Sequence, residues 1–155
     1  MKKKEFRLLP FIVCLAITLI PGVIVGFLTS GQNDIYETLK TPVFAPPAIL
    51  FPIVWGLLYT LMGVSLYLIY QNGGTLRNYA LFAAQFVANL IWPFLFFSFE
   101  AFWLAFLWLV LLWVMILLMI ISFYRTSPLA AYMQIPYLLW VTFAGVLNLS
   151  IAILN

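Results

Sequence analysis

Tyr79 to Tyr124 reads YALFAAQFVANLIWPFLFFSFEAFWLAFLWLVLLWVMILLMIISFY and carries one charged side chain, Glu100. A helix that crosses a bilayer takes about 20 mostly apolar residues, so this stretch is long enough for two. Its one interruption, Ser98-Phe99-Glu100, has room only for a tight hairpin, which makes the two helices antiparallel neighbours. Working outward, comparable apolar runs occupy about Leu8 to Leu28, Pro47 to Tyr70 and Leu129 to Leu154. Together with Tyr79–Phe97 and Ala101–Tyr124 they predict an all-α integral membrane protein, a bundle of five transmembrane helices in one domain over 1–155.

The charges agree with that reading. Seven basic and four acidic side chains fall only at the N-terminus and in the gaps between the apolar runs, and histidine is absent. Asp, Lys or Arg at the bilayer centre costs roughly 2.5 to 3.5 kcal/mol on insertion scales, so spanning sequences keep charge at their ends. At 66% hydrophobic and 19% aromatic, the chain has more apolar surface than a soluble domain of 155 residues can bury. Its net charge of +3 forms no basic stripe, which excludes nucleic acid as the expected partner and leaves the lipid bilayer. Lys2, Lys3, Lys4 and Arg7 ahead of the first run resemble a signal peptide. No small-x-small cleavage site follows, however, and further runs do, so the first span is read as retained. Cys14 is the sole cysteine, so no intrachain disulfide or Cys-based metal site is expected.

Orientation follows from Lys and Arg counted on alternate sides. With the N-terminus inside, Lys2, Lys3, Lys4, Arg7, Arg77 and Arg125 are inside and Lys40 alone is outside. The expectation is N-in, C-out, with the N-terminus cytoplasmic. The long outer connection at 29–46 is expected to hold a short helix from Asn33 to Leu39, stopped at Thr41-Pro42, with Pro46 and Pro47 in the first turn of the second span. It is read as a lid over the bundle, with a plain connector as the alternative.

Polar groups in hydrocarbon need partners and so mark inward faces. Gln85, Asn89 and Trp92 share one face of the third span by spacing, as do Pro136, Trp140, Ala144 and Asn148 on the fifth, and Trp55 and Tyr59 on the second. These faces either wall one pocket or bond helices and fill space. Small Ala144 between Trp140 and Asn148 favours the pocket, which would suit a flat, aromatic or sterol-like guest. Gly22-x-x-x-Gly26 and the stripe Ala80, Ala84, Ala88 suggest close helix contacts, within the chain or with a second subunit.

The runs Pro42-Val43-Phe44-Ala45-Pro46-Pro47 and Phe51-Pro52-Ile53-Val54-Trp55-Gly56-Leu57-Leu58-Tyr59, then Gln85 to Asn89 with Trp92-Pro93 and Phe96-Phe97, and finally Pro136-Tyr137-Leu138-Leu139-Trp140 with Phe143-Ala144 and Leu147-Asn148, resemble the TspO/MBR family. These are the tryptophan-rich sensory proteins of bacteria and the mitochondrial translocator protein, or peripheral benzodiazepine receptor. The resemblance implies a five-helix bundle, a homodimer, and a pocket beneath the first loop that binds porphyrins such as protoporphyrin IX and benzodiazepine-type drugs. By motif, its ligand-binding residues would be Tyr36, Trp55, Tyr59, Asn89, Trp92, Trp140 and Ala144, with Ala80, Ala84 and Ala88 at the dimer contact. The family's frequent Pro-Ser-Trp before the double proline is Pro42-Val43-Phe44 here, and no Lys or Arg follows Arg125 to complete the mitochondrial sterol pattern.

The function expected is a receptor or carrier for porphyrins or other flat hydrophobic small molecules, in a bacterial cytoplasmic membrane. Porphyrin is ligand or substrate there, and no resident cofactor or metal is expected. The pocket lacks a cation for a porphyrin's propionates, and Lys40 in the outer loop is the candidate partner. The enzyme alternative is light-dependent porphyrin degradation. No histidine, carboxylate, lysine or arginine lies in the spans for conventional acid-base work, so chemistry would start from the photoexcited ligand with Trp55 and Trp140 as catalytic residues. A lipid-binding structural or regulatory membrane protein is the third class.

Overall fold

The computed structural model describes residues 5–30 and 33–155, and every element in it is helical. Helix α1 spans Leu8–Ser30, α2 Asn33–Thr38, α3 Leu50–Gln71, α4 Leu76–Pro93, α5 Phe102–Tyr124, α6 Pro128–Tyr132 and α7 Ile135–Leu154. Five segments are long and apolar enough to cross a membrane: α1, α3, α4 with its continuation to Ser98, α5, and α6 with α7. The expected five-span bundle is therefore present. Lys2, Lys3 and Lys4 lie outside the described residues.

The hairpin between the third and fourth spans keeps a three-residue gap, shifted by one residue to Phe99-Glu100-Ala101. From Phe94 to Ser98 the helix widens into a π turn, with Phe99 N–H bonded to Phe94 O at 2.9 Å. Glu100 then turns the chain with φ of 49°, in the left-handed region, and α5 starts at Phe102. α4 and α5 pack side by side as the hairpin requires. In α5 the buried positions Ala105, Leu109, Leu112, Ile116, Met119 and Phe123 recur at alternating steps of four and three. That is the seam of a helix packed along its length, and α5 uses it to join α4 to α7.

Three boundaries differ from the sequence expectation. α3 opens at Leu50 rather than Pro47, because Pro47 starts a separate turn closed by Leu50 N–H to Pro47 O at 2.9 Å. α4 begins at Leu76, ahead of Tyr79, because Thr75 caps it: the Thr75 side chain accepts from Asn78 N–H while Asn78 Oδ1 accepts from Thr75 N–H at 2.8 Å. The fifth span is broken at Met133–Gln134, immediately before Ile135-Pro136, where proline supplies no N–H to carry the preceding turn onward. Side chains secure the break. Ser65 Oγ donates to Ala130 O at 2.8 Å, and Gln134 Nε2 donates to Leu61 O at 3.4 Å, both across to α3.

The two ends of the bundle are tied differently. At one end, Tyr67 OH accepts from Arg7 N–H at 2.8 Å, and Asn78 Nδ2 donates to Ser122 Oγ at 3.0 Å, which gathers the starts of α1 and α4 with the ends of α3 and α5. At the other, the connection from α1 to α3 lies over the bundle. Its short helix α2 ends at Thr38, one residue before Leu39. Tyr36 is buried beneath it and donates to Pro46 O at 3.1 Å, and Asn155 clasps Lys40 through the Lys40 N–H at 3.1 Å and the Lys40 O at 3.0 Å.

Candidate ligand cavity

Beneath α2 lies a cavity of about 490 Å3 between α1, α3 and α4. Helical spacing brings its aromatic wall together: Trp55 and Tyr59, four apart on α3, stack at 5.5 Å and 28°, and Asn89 and Trp92 on α4 face them. Phe51 and Phe97 complete the wall, and Tyr36 closes it from above, its ring edge-on to Phe51 at 5.3 Å. A cavity of this size falls within the roughly 300 to 1,000 Å3 usual for small-molecule sites, and an apolar wall with few polar groups is their usual lining.

Tyr59 and Asn89 on the wall are bonded to each other and to residues behind it. Tyr59 OH donates to Asn89 Oδ1 at 2.8 Å, Asn89 Nδ2 donates to Tyr137 OH at 3.0 Å, and Tyr137 OH donates to Gln85 Oε1 at 2.9 Å. This chain crosses α3, α4 and α7 and is buried throughout, so it holds the three helices at fixed spacing in a medium without competing water. Trp92 Nε1 donates to Asn148 Oδ1 at 3.2 Å, and Asn148 Nδ2 donates in turn to Phe102 O at 2.8 Å. Asn89 and Trp92 therefore present faces and edges to a guest, with the indole N–H and one amide N–H engaged elsewhere.

The residues expected at the site do not all meet in one space. Tyr36, Trp55, Tyr59, Asn89 and Trp92 line the cavity. Ala144 lines a narrow crevice of about 10 Å3 that shares Tyr36, Phe51, Trp92 and Phe97 with the cavity. Trp140 is not among the cavity residues. It packs on Phe51 at 6.0 Å and Phe143 at 5.4 Å, with its Nε1 buried and without a hydrogen-bond partner. The fifth span thus backs the wall and does not form it. Tyr137 and Phe51 fill the space between α7 and α3, so the cavity opens on the opposite side, where α1 carries Gly22 and Gly26. The α1 contribution is hidden in the sequence, where the Gly22-x-x-x-Gly26 spacing signals a helix contact and not a cavity wall. Gly22 is one, since an added Cβ would come within 2.5 Å of Tyr59 Cδ2, but Gly26 meets nothing within 4 Å.

Lys40 is exposed near the lid, with its backbone held by Asn155, and is not among the cavity residues. Of the alanine stripe, Ala80 and Ala84 are exposed on α4. Ala88 is 4% exposed, its carbonyl accepting from Trp108 Nε1 at 2.8 Å, so it serves the α4–α5 contact within the chain. Among the described residues no group of three or more His, Cys, Asp or Glu comes together that could hold a metal ion.

Comparison with known proteins places the chain in a family. The sequence profile of the TspO/MBR family matches residues 12–154. A translocator protein of Sus scrofa is 33% identical over 150 residues, covering 90% of this chain and 88% of that protein. A tryptophan-rich protein TspO of Archaeoglobus fulgidus is 33% identical over 131 residues, with 83% and 85% covered, and the protein CrtK of Rhodobacter capsulatus is 36% identical over 124 residues, with 77% and 78% covered. With the family profile covering nearly the whole chain and relatives matched along most of their own length, this five-span membrane protein belongs to the TspO/MBR family.

Proposed function

We propose that the chain is a membrane receptor or carrier that takes a flat hydrophobic molecule of the porphyrin type into the cavity beneath α2. The observation that carries this reading is the cavity itself: about 490 Å3, walled by Trp55, Tyr59, Trp92, Phe51 and Phe97, whose rings offer stacking and apolar contact. The Tyr59–Asn89–Tyr137–Gln85 chain supports it, because a wall whose phenol and amide oxygens are bonded within the protein, with Gln85 Nε2 behind it left unpartnered, favours a guest that brings its own apolar faces. A porphyrin's propionates would project past α2 toward the loop, where Lys40 supplies the cation. N-in, C-out orientation in a bacterial cytoplasmic membrane and homodimerisation through the exposed Ala80–Ala84 face of α4 complete the proposal.

Titration with protoporphyrin IX in darkness, followed by tryptophan quenching, tests it. Saturable quenching that is lost in a Trp55→Ala, Trp92→Ala variant supports the site, whereas quenching that rises linearly and survives the substitutions sends the ligand into the bilayer or detergent. Lys40→Ala should weaken protoporphyrin IX more than a neutral drug-like ligand, and equal losses would remove the propionate from Lys40.

The second reading is light-dependent degradation of the bound porphyrin. What favours it is Trp55, on the cavity wall and stacked on Tyr59, where a photoexcited guest would meet an indole. Bleaching that needs light and disappears in Trp55→Phe would support it; bleaching in the dark would refute it. Trp140 stands behind Phe51 on this geometry, and its replacement by Phe should change the rate less than that of Trp55.

A further inference from the structure

Helices α1 and α3 run antiparallel, and their close contacts report the register. A Cβ added to Gly63 would meet Thr18 Oγ1 at 2.8 Å and Leu15 Cα at 2.9 Å, and one added to Gly22 would run into the Tyr59 ring. One turn nearer the lid, the same register brings Gly26 to the level of Trp55 and Gly56. There a Cβ at Gly26 or at Gly56 meets nothing within 4 Å. Two helices that touch closely at Gly63 and Gly22 thus leave open space at Gly26 and Gly56, where both carry glycine.

The gap is continuous with the cavity. Gly26 and Gly56 both line it and both are exposed, and Val23 and Phe27 on the same edge of α1 line it while 68% and 78% exposed. Residues that wall a cavity and are also open on their outer side stand at its mouth. Next to the mouth, Ile24, Ile53 and Leu57 are exposed apolar side chains on helices long enough to span a membrane, so the opening faces hydrocarbon. Its rim is not a polar barrier, since Gly56 O is bonded by Thr60 Oγ1 at 2.8 Å. The direct path from the loop side, by contrast, is covered by α2, with Tyr36 bonded to Pro46 and Asn155 to Lys40.

We propose that the Gly26–Gly56 gap is a side door through which the hydrophobic ligand passes between bilayer and cavity while α2 stays in place. This rests on the ligand-binding reading above and adds the route. The test is stopped-flow tryptophan quenching with protoporphyrin IX in darkness, on full-length protein in lipid nanodiscs, for wild type, Gly26→Ala, Gly26→Val, Gly26→Leu and Gly56→Leu. Association and dissociation rates should both fall as the side chain grows, by about tenfold or more for leucine, with Kd moving far less than either rate. Val43→Leu, in the outer loop, should leave both rates unchanged. Thermal melts of each variant identify any that misfold, and the alanine and valine members then decide the trend. Saturable binding with rates indifferent to the series overturns the door alone. Wild type without saturable binding overturns the ligand reading, and the door falls with it.

Discussion

Gly22 sets how closely Tyr59 approaches α1, and through Tyr59 it sets the shape of the cavity. A methyl there would displace the ring from its stack on Trp55 and its bond to Asn89. Overpacking of this kind costs about 1 to 3 kcal/mol, so Gly22→Ala should lower the melting temperature and weaken ligand together, whereas Gly26→Ala should leave the melt unchanged. Tyr59→Phe separates the two effects. It keeps the ring but leaves Asn89 Oδ1 unbonded in the interior, a loss of about 1 to 3 kcal/mol in stability with smaller change in affinity, measurable by thermal melt and titration on one sample. For Tyr36, burial pushes the phenol above its ordinary value of 10. It bonds Pro46 only while protonated, so its hold on the lid is complete below that value and is lost as pH rises through the shifted one. Ligand dissociation should therefore be slower from wild type than from Tyr36→Phe at neutral pH, and wild type should lose that advantage in strong alkali. At this scale the sequence is legible where residues share a helix: the four-residue steps from Trp55 to Tyr59 and from Gln85 to Asn89 fix their faces. It is silent on Tyr137 and Phe51, which matter through neighbours on other helices.

The lid is where element and site meet. Six residues of α2 cannot hold themselves helical in isolation, so its position depends on the Tyr36–Pro46 bond, the Tyr36–Phe51 contact and the Asn155 clasp on Lys40. Asn155→Ala should expose the Lys40 amide to exchange, with hydrogen exchange near Lys40 accelerating while amides in the centre of α5 keep their protection. Uniform acceleration would instead mean the substitution loosens the whole bundle. Span existence was readable because each needs a long apolar run with charges excluded, and α3, α4 and α5 fall within about one turn of expectation. The π turn at Phe94–Ser98 and the break before Ile135 were not readable, because both depend on which carbonyls find partners after packing. Which of the inward-facing residues reach the open space is unreadable for the same reason. Periodicity correctly turned Trp140 inward, but Phe51 intercepts it before it reaches the open space.

At the scale of the whole molecule, orientation is the property on which any transport reading depends. The bundle's connectivity puts Arg7, Arg77 and Arg125 at one end and Glu37, Lys40 and Glu100 at the other. Basic residues close to span ends are retained on the cytoplasmic side, whereas acidic ones contribute little. The arginine end should then be cytoplasmic, and α2 with its cavity should sit toward the opposite leaflet. Cys14, the chain's sole cysteine, is buried, so single cysteines can report sidedness in a Cys14→Ser background. In intact cells a membrane-impermeant thiol reagent should label Glu100→Cys and spare Arg125→Cys until the membrane is opened. The reverse pattern would place the lid on the cytoplasmic side, and a ligand entering between α1 and α3 would then come from the inner leaflet. Equal labelling of both would mean mixed insertion, with Arg7, Arg77 and Arg125 too weak a bias to fix the topology alone.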